Sequence, residues 1–177
     1  MEVPRLNRSK KHPLKIMDNF IEKISSYNIL NNLLPGVLFV IFAQATTSYN
    51  FVQENLIIAA FVYYFIGMAI SRFGSLVIEP IFKWFKFLEF ASYSEFIAAS
   101  KKDSKLELLS ESNNTYRTLC AMFVVLGLFK AYELIGNVLS LSEGDGIFLL
   151  FIALLVLFSF SHRKQTAYIT KRVKANL

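Results

Sequence analysis

Two charged side chains stand inside a stretch whose other residues suit lipid. Lys130 and Glu133 lie three residues apart within residues 119–141, a run dominated by Leu, Val, Phe and Ile. Read as a helix, the run carries Asn137 seven residues beyond Lys130 and Gly127 one turn before it. Gly127, Lys130, Glu133 and Asn137 then form one polar and small stripe. Lys130 falls at the middle of the run, about 15 Å from either end at the helical rise. An ion held at that depth costs at least about 2.5–3.5 kcal/mol on insertion scales, so it is expected to face protein or water and to have a partner. Two chemistries fit. Lys130 and Glu133 could neutralise each other along the helix, or Lys130 could stretch to the outer headgroups. Alternatively the stripe faces a subunit interface or central cavity, where it fixes assembly or lines an ion conduit. Gln44 and Thr47 in the first apolar run are the candidate polar neighbours.

Other reactive residue types do not converge. Cys120 is the single cysteine, set in apolar sequence, and the two histidines, His12 and His162, are far apart, so no disulfide within the chain and no zinc site is expected. Glu107 and Glu111 lie beside Lys102 and Lys105 and read as a solvated helix face. There is no Gly-rich phosphate loop, no Gly-x-Ser-x-Gly elbow and no His-Glu-x-x-His helix. The expectation is a protein that is not an enzyme and takes no cofactor or metal.

The elements that would position these residues follow from composition and clustering. The chain is 54% hydrophobic and 18% charged, against about 45–50% and about 25% in typical soluble domains. The apolar excess is concentrated in four runs: residues 33–49, extendable to 52 and opened by Leu33-Leu34-Pro35-Gly36; 56–70, continuing weakly to 78; 119–141; and 147–160. The first, extended to residue 52, is long enough for a hydrocarbon core of about 30 Å. Gly67, Ser71 and Ser75 sit four apart, a spacing that lets helix backbones approach closely. Residues 81–99 mix Phe82, Trp84, Phe85, Phe87 and Phe90 with Lys83, Lys86, Glu89 and Glu95, which is too polar to span and suits a helix lying in the interface or packed under the bundle. Residues 110–115 read as a loop before a helix start, and 142–146 (Ser-Glu-Gly-Asp-Gly) as a tight turn. Before the first run, Leu14, Met17, Phe20, Ile21, Ile24 and Tyr27 recur with helical period and predict an amphipathic helix.

Charge gives the orientation. Residues 1–32 hold six Lys and Arg, 71–118 hold seven and the tail from 161 holds five, whereas 50–55 and 142–146 hold none. Cations stay on the cytoplasmic side. The partition predicts an all-α polytopic protein of the bacterial inner membrane with both termini cytoplasmic. Its parts are a basic amphipathic segment (1–32), a transmembrane hairpin (33–78), a cytoplasmic or interfacial helical loop (79–118), a second hairpin (119–160) and a basic tail (161–177). The net charge of +6 is thereby accounted for without direct nucleic-acid binding. Trp84, Phe85 and Phe87, with Lys101, Lys102 and Lys105, are the expected contacts to lipid or to a partner.

The small four-helix plan, and the stretch Tyr-Asn-Ile-Leu-Asn-Asn-Leu-Leu-Pro-Gly at residues 27–36, resemble the inner-membrane components of bacterial anti-phage defence systems, nearest the KwaA family of the Kiwa system. The resemblance implies an oligomeric membrane sensor working with a separate cytosolic effector, and assigns no residue a role. The expectation is a non-enzymatic sensor or scaffold, homo-oligomeric in membrane lipid, that docks a cytosolic protein on its inner face. The alternative is a pore-forming effector or ion channel with Lys130 and Glu133 lining an oligomeric lumen.

Overall fold

In the computed structural model, which describes residues 29–139 and 143–174, every regular element is a helix. A π-helical turn, Ile29–Leu33, runs into α1, Leu34–Thr46, and Pro35, at its second residue, follows that wider turn. α1 stops where Thr47 turns extended. Thr46 and Thr47 donate their hydroxyls to the carbonyls of Phe42 and Ala43, each at 2.7 Å, and the Thr47 N–H also bonds to the Ala43 carbonyl at 2.9 Å. Asn55 then caps α2, its side chain accepting from the N–H groups of Ile57 and Ile58 at 2.9 and 3.2 Å.

α2 spans Leu56–Trp84 without a break. The sequence boundary at residue 79 is therefore corrected: Glu79-Pro80 neither ends this helix nor starts another. Proline in a helix interior normally clashes with the carbonyl four residues back. Here a π-helical turn, Gly74–Ile78, widens the helix just ahead of it, and the Glu79 N–H reaches back five residues to the Gly74 carbonyl. α2 ends at a tight reversal. Lys86 adopts φ 56°, its N–H bonds to the Lys83 carbonyl at 3.0 Å, and the Phe87 N–H bonds to the Phe82 carbonyl at 2.9 Å. That pair of bonds, with the Phe82 and Phe87 rings 5.2 Å apart, is a Schellman stop with lysine in the position glycine usually takes.

The expected interfacial helix over 81–99 is accordingly divided. Residues 81–84 belong to α2, and only α3, Tyr93–Ser100, is a separate helix, opened by a reciprocal capping box between Ser92 and Glu95. α4 runs from Lys105 to Leu139, so the loop expected at 110–115 is helix. Its polar side chains fold back onto their own helix: Ser112 donates to the Leu108 carbonyl at 3.0 Å and Thr115 to that of Glu111 at 3.1 Å. α5, Glu143–Lys174, absorbs most of the expected 142–146 turn and nearly all of the basic tail. The amphipathic helix expected around residues 14–27 lies outside the described residues.

Among the described residues three helices are long and apolar enough to cross a membrane: α2, α4 and residues 144–174 of α5. Residues 31–46 form a shorter apolar helix, and it is the central one. Phe39, Val40 and Ala43 of α1 are buried against Ile70 and Ile78 of α2 and Ala121, Met122 and Leu126 of α4. Phe39, Phe51 and Phe129 close one end of this core, with ring centroids 5.5–5.8 Å apart. α5 packs only at the periphery, through contacts such as Phe65 with Phe158, and its apolar circumference is largely uncovered.

Candidate functional site

One face of α2 carries Gly67, Ser71, Ser75, Glu79 and Lys83, each four residues from the next, and every one of them meets a polar or backbone group. At Gly67 the backbones of α1 and α2 touch. A Cβ there would stand 1.7 Å from the Asn32 carbonyl oxygen, and one at Gly36 would stand 1.8 Å from that of Tyr63. No residue but glycine fits either position, which is the close approach the small-residue spacing predicts.

One turn on, Ser71 joins a buried polar node. The Asn31 amide donates to Ser71 Oγ at 3.3 Å, while the Thr118 hydroxyl lies 3.2 Å from Asn31 Oδ1, 3.3 Å from Ser71 Oγ and 2.8 Å from the Asn114 carbonyl. This node ties the start of α1 to α2 and α4.

The next two turns hold the charges. Glu79, with 9% of its side chain exposed, receives Lys83 on Oε1 and Arg117 on Oε2, both at 2.9 Å, and has Lys164 Nζ at 3.8 Å. Its ligands thus come from α2, α4 and α5. Lys164 also donates to the Ser75 carbonyl at 2.5 Å and to Ser75 Oγ at 2.7 Å. The π-helical turn explains why that carbonyl is open. With the Glu79 N–H committed to Gly74, the next five-residue step would bring residue 80 to Ser75, and Pro80 has no N–H. Lys164 supplies the missing donor. Arg117 Nε is buried with no hydrogen-bond partner.

The opposite end of the bundle holds the expected charged pair. Lys130 Nζ lies 2.7 Å from Glu133 Oε2, and Glu133 Oε1 accepts the Ser48 N–H at 2.9 Å. Gln44 and Thr47, the expected neighbours, are not the partners: the connection just past α1 is. The pair therefore sits beside residues 47–55, at the end of the core, rather than halfway along it, because α1 stops early while α4 continues. Tyr49 lies there too, and burial, then Tyr132 and Glu133, push its phenol up. Gly127 faces open space, and Lys130 and Asn137 are exposed, so the stripe is joined only at Glu133.

Trp84, Phe85 and Phe87 are 67–78% exposed where α2 ends, with the Trp84 and Phe85 rings 4.6 Å apart. Lys101, Lys102 and Lys105 are exposed around the start of α4. In sequence Arg72, Lys83, Arg117 and Lys164 are spread over two basic segments, and nothing in their spacing brings Arg117 or Lys164 to Glu79. The available signal was that Glu79 is the only acid between Glu54 and Glu89, and that it extends the Gly67, Ser71, Ser75 spacing by one turn.

Among the described residues no three His, Cys, Asp or Glu side chains converge. What the arrangement can do is lock helices together through shared ions and present cations and aromatic rings at one end. No protein-family model matches the chain, nor does any curated protein or solved structure.

Proposed function

We propose that this chain is a non-enzymatic scaffold or sensor of the bacterial inner membrane. In this reading α1, α2, α4 and α5 all cross the bilayer, and both termini are cytoplasmic. With its leading π-helical turn the α1 segment covers residues 29–46, about 27 Å at the helical rise, close to the hydrocarbon thickness. The uncovered apolar circumference of α5 is the surface for lipid and for a second copy of the chain. A cytosolic protein docks on the inner face, over Trp84, Phe85 and Phe87 and over Lys101, Lys102 and Lys105. A place in anti-phage defence is part of the proposal and rests on the sequence resemblance alone.

The observation that carries it is polarity along the bundle. Arg72, Lys83, Arg117 and Lys164 gather at one end, beside the exposed aromatics, while residues 47–55 at the other end hold no Lys or Arg and Lys130 beside them is paired with Glu133. Single cysteines introduced at Asn50, at Lys102 and in the tail, in a Cys120→Ala background, test this with a membrane-impermeant maleimide on intact cells. Asn50 should label from outside, and the other two only after permeabilisation. Labelling at Asn50 that requires permeabilisation refutes the orientation.

The uncovered strip of Gly127, Lys130 and Asn137 on α4 favours a second reading, an oligomeric pore lined by Lys130 and Glu133. It predicts stepwise currents in planar bilayers that change in Lys130→Ala. The scaffold predicts a silent bilayer and recovery of a cytosolic partner with the protein.

A further inference from the structure

Where α5 docks on α2, Arg72, Ser75, Ser161, Lys164, Gln165 and Tyr168 line an open cleft. We propose that this cleft binds a phosphate group. Three observations on the cleft itself support the assignment. The first is charge: Arg72, Lys83 and Arg117 each lie close enough to act on Lys164, and Glu79 is the carboxylate that Lys83, Arg117 and Lys164 share. Its two oxygens are taken by Lys83, Arg117 and Lys164, which leaves Arg72 uncompensated. The second is unused donors: among the described residues Arg72, Gln165 and Tyr168 have no hydrogen-bond or ion-pair partner. Ser75 Oγ accepts from Lys164, so its own proton is free to point into the cleft. The third is geometry. The cleft is lined by a guanidinium, an ammonium, an amide, a phenol and two hydroxyls from two facing helices, with Leu76 as its one apolar member, a donor set that suits an oxyanion.

Position names the source. Arg72 follows the apolar run of α2 by two residues, and Ser161 follows that of α5 directly. On the proposed membrane placement, on which this part of the inference rests, the cleft lies at the depth of lipid phosphates, where basic pockets between helices hold anionic headgroups. A soluble phosphate would meet the same donors, and the two sources are separable.

The test is native mass spectrometry of the purified full-length protein in detergent micelles. Separate arms contain phosphatidylglycerol, a glucosyl diacylglycerol that lacks phosphate, and inorganic phosphate added as competitor. One phosphatidylglycerol per chain should be retained under activation that strips the glycolipid. Arg72→Gln should weaken retention roughly fivefold, and Gln165→Leu, which leaves the charge unaltered, roughly threefold or more. Arg163→Gln, an exposed cation on α5 outside the cleft, should leave retention unchanged, with helicity by circular dichroism equal in all variants. Displacement by millimolar inorganic phosphate assigns a soluble ligand; no displacement assigns the lipid. The proposal is overturned if the glycolipid is held as well as phosphatidylglycerol, or if Arg163→Gln weakens retention as much as Arg72→Gln. An error in the membrane orientation would appear in the maleimide labelling and leave these adducts untouched.

Discussion

Replacing Glu79 with Gln keeps the shape of the side chain and removes the one negative charge that three helices share. The magnitude follows from the exposure of each partner. Lys83 is an i,i+4 neighbour with 45% of its side chain exposed, and such pairs contribute about 0.3–0.5 kcal/mol. Arg117 is 20% exposed and bonded at 2.9 Å, a charge-assisted hydrogen bond contributing about 1.5–3 kcal/mol. Lys164, at 3.8 Å and engaged mainly by Ser75, adds a few tenths of a kcal/mol, on the order of an exposed pair. The expected loss is about 2–4 kcal/mol, most of it the penalty of leaving Arg117 buried without a counter-charge. For a chain of this size that lowers Tm by roughly 5–12 °C. Thermal unfolding in a mild detergent, followed by circular dichroism, measures it, with Lys83→Gln as the comparison at under about 1 kcal/mol and roughly 2 °C. A double-mutant cycle with Arg117→Met should return a coupling above about 1 kcal/mol. If Glu79→Gln shifts Tm no more than Lys83→Gln does, the carboxylate does not join the helices and the reasoning fails.

Glycine positions separate by contact: Gly67→Ala drives a methyl to 1.7 Å from the Asn32 carbonyl oxygen and should cost about 3 kcal/mol or more. Gly127→Ala meets nothing within 4 Å and should be neutral or gain up to about 1 kcal/mol from helix propensity, both read as Tm. Lys86→Gly relieves a left-handed backbone and should raise stability by about 1 kcal/mol, whereas a loss would show that the lysine side chain holds the turn. At the start of α3, the hydrogen bonds that Glu95 accepts from the Ser92 side chain and backbone hold its carboxyl below the usual range. The cap is therefore complete above the ordinary carboxylate pKa and is lost as pH falls through the lowered one. Protection of amides 93–96 from exchange, taken relative to their intrinsic rate at each pH, should fall across that interval in the native chain and lose this pH step in Ser92→Ala.

Apolar runs were legible because lipid-length helices need no long-range information: residues 56–70, 119–141 and 147–160 each carry their own signal. The extents of the helices were not legible in the same way. Residues 110–115 are turn formers by type, yet Ser112 and Thr115 bond back to their own helix, and α4 passes through them. Pro80 reads as a terminator, yet a π-helical turn, which depends on how α2 packs, carries the helix past it. The same misreading concealed the charged cluster. Once residue 79 is taken as an end, the four-residue spacing from Gly67 stops at Ser75, and Glu79 has no face to share. Lys130 and Glu133 were found, but their depth was not, since it depends on where α1 ends rather than on the middle of their own run.

The cluster also explains how α5 acquires a defined seat. Its apolar side chains gain little by preferring one neighbour over another in a bilayer, because lipid tails are as apolar as Leu or Phe. Phe65 against Phe158 is a contact that a lipid could replace. Lys164 on the Ser75 carbonyl is not replaceable in that way, since a partly buried backbone acceptor left open needs a donor that an apolar chain cannot supply. That acceptor exists because Pro80 has no N–H, and Glu79 stands one turn away to neutralise the lysine that answers it. Apolar residues in place of such ions often give equal or greater stability, so ions here are better understood as setting register than as adding strength. Register at this point fixes Arg72 on α2 opposite Gln165 and Tyr168 on α5, and without it the cleft between the two helices has no fixed shape.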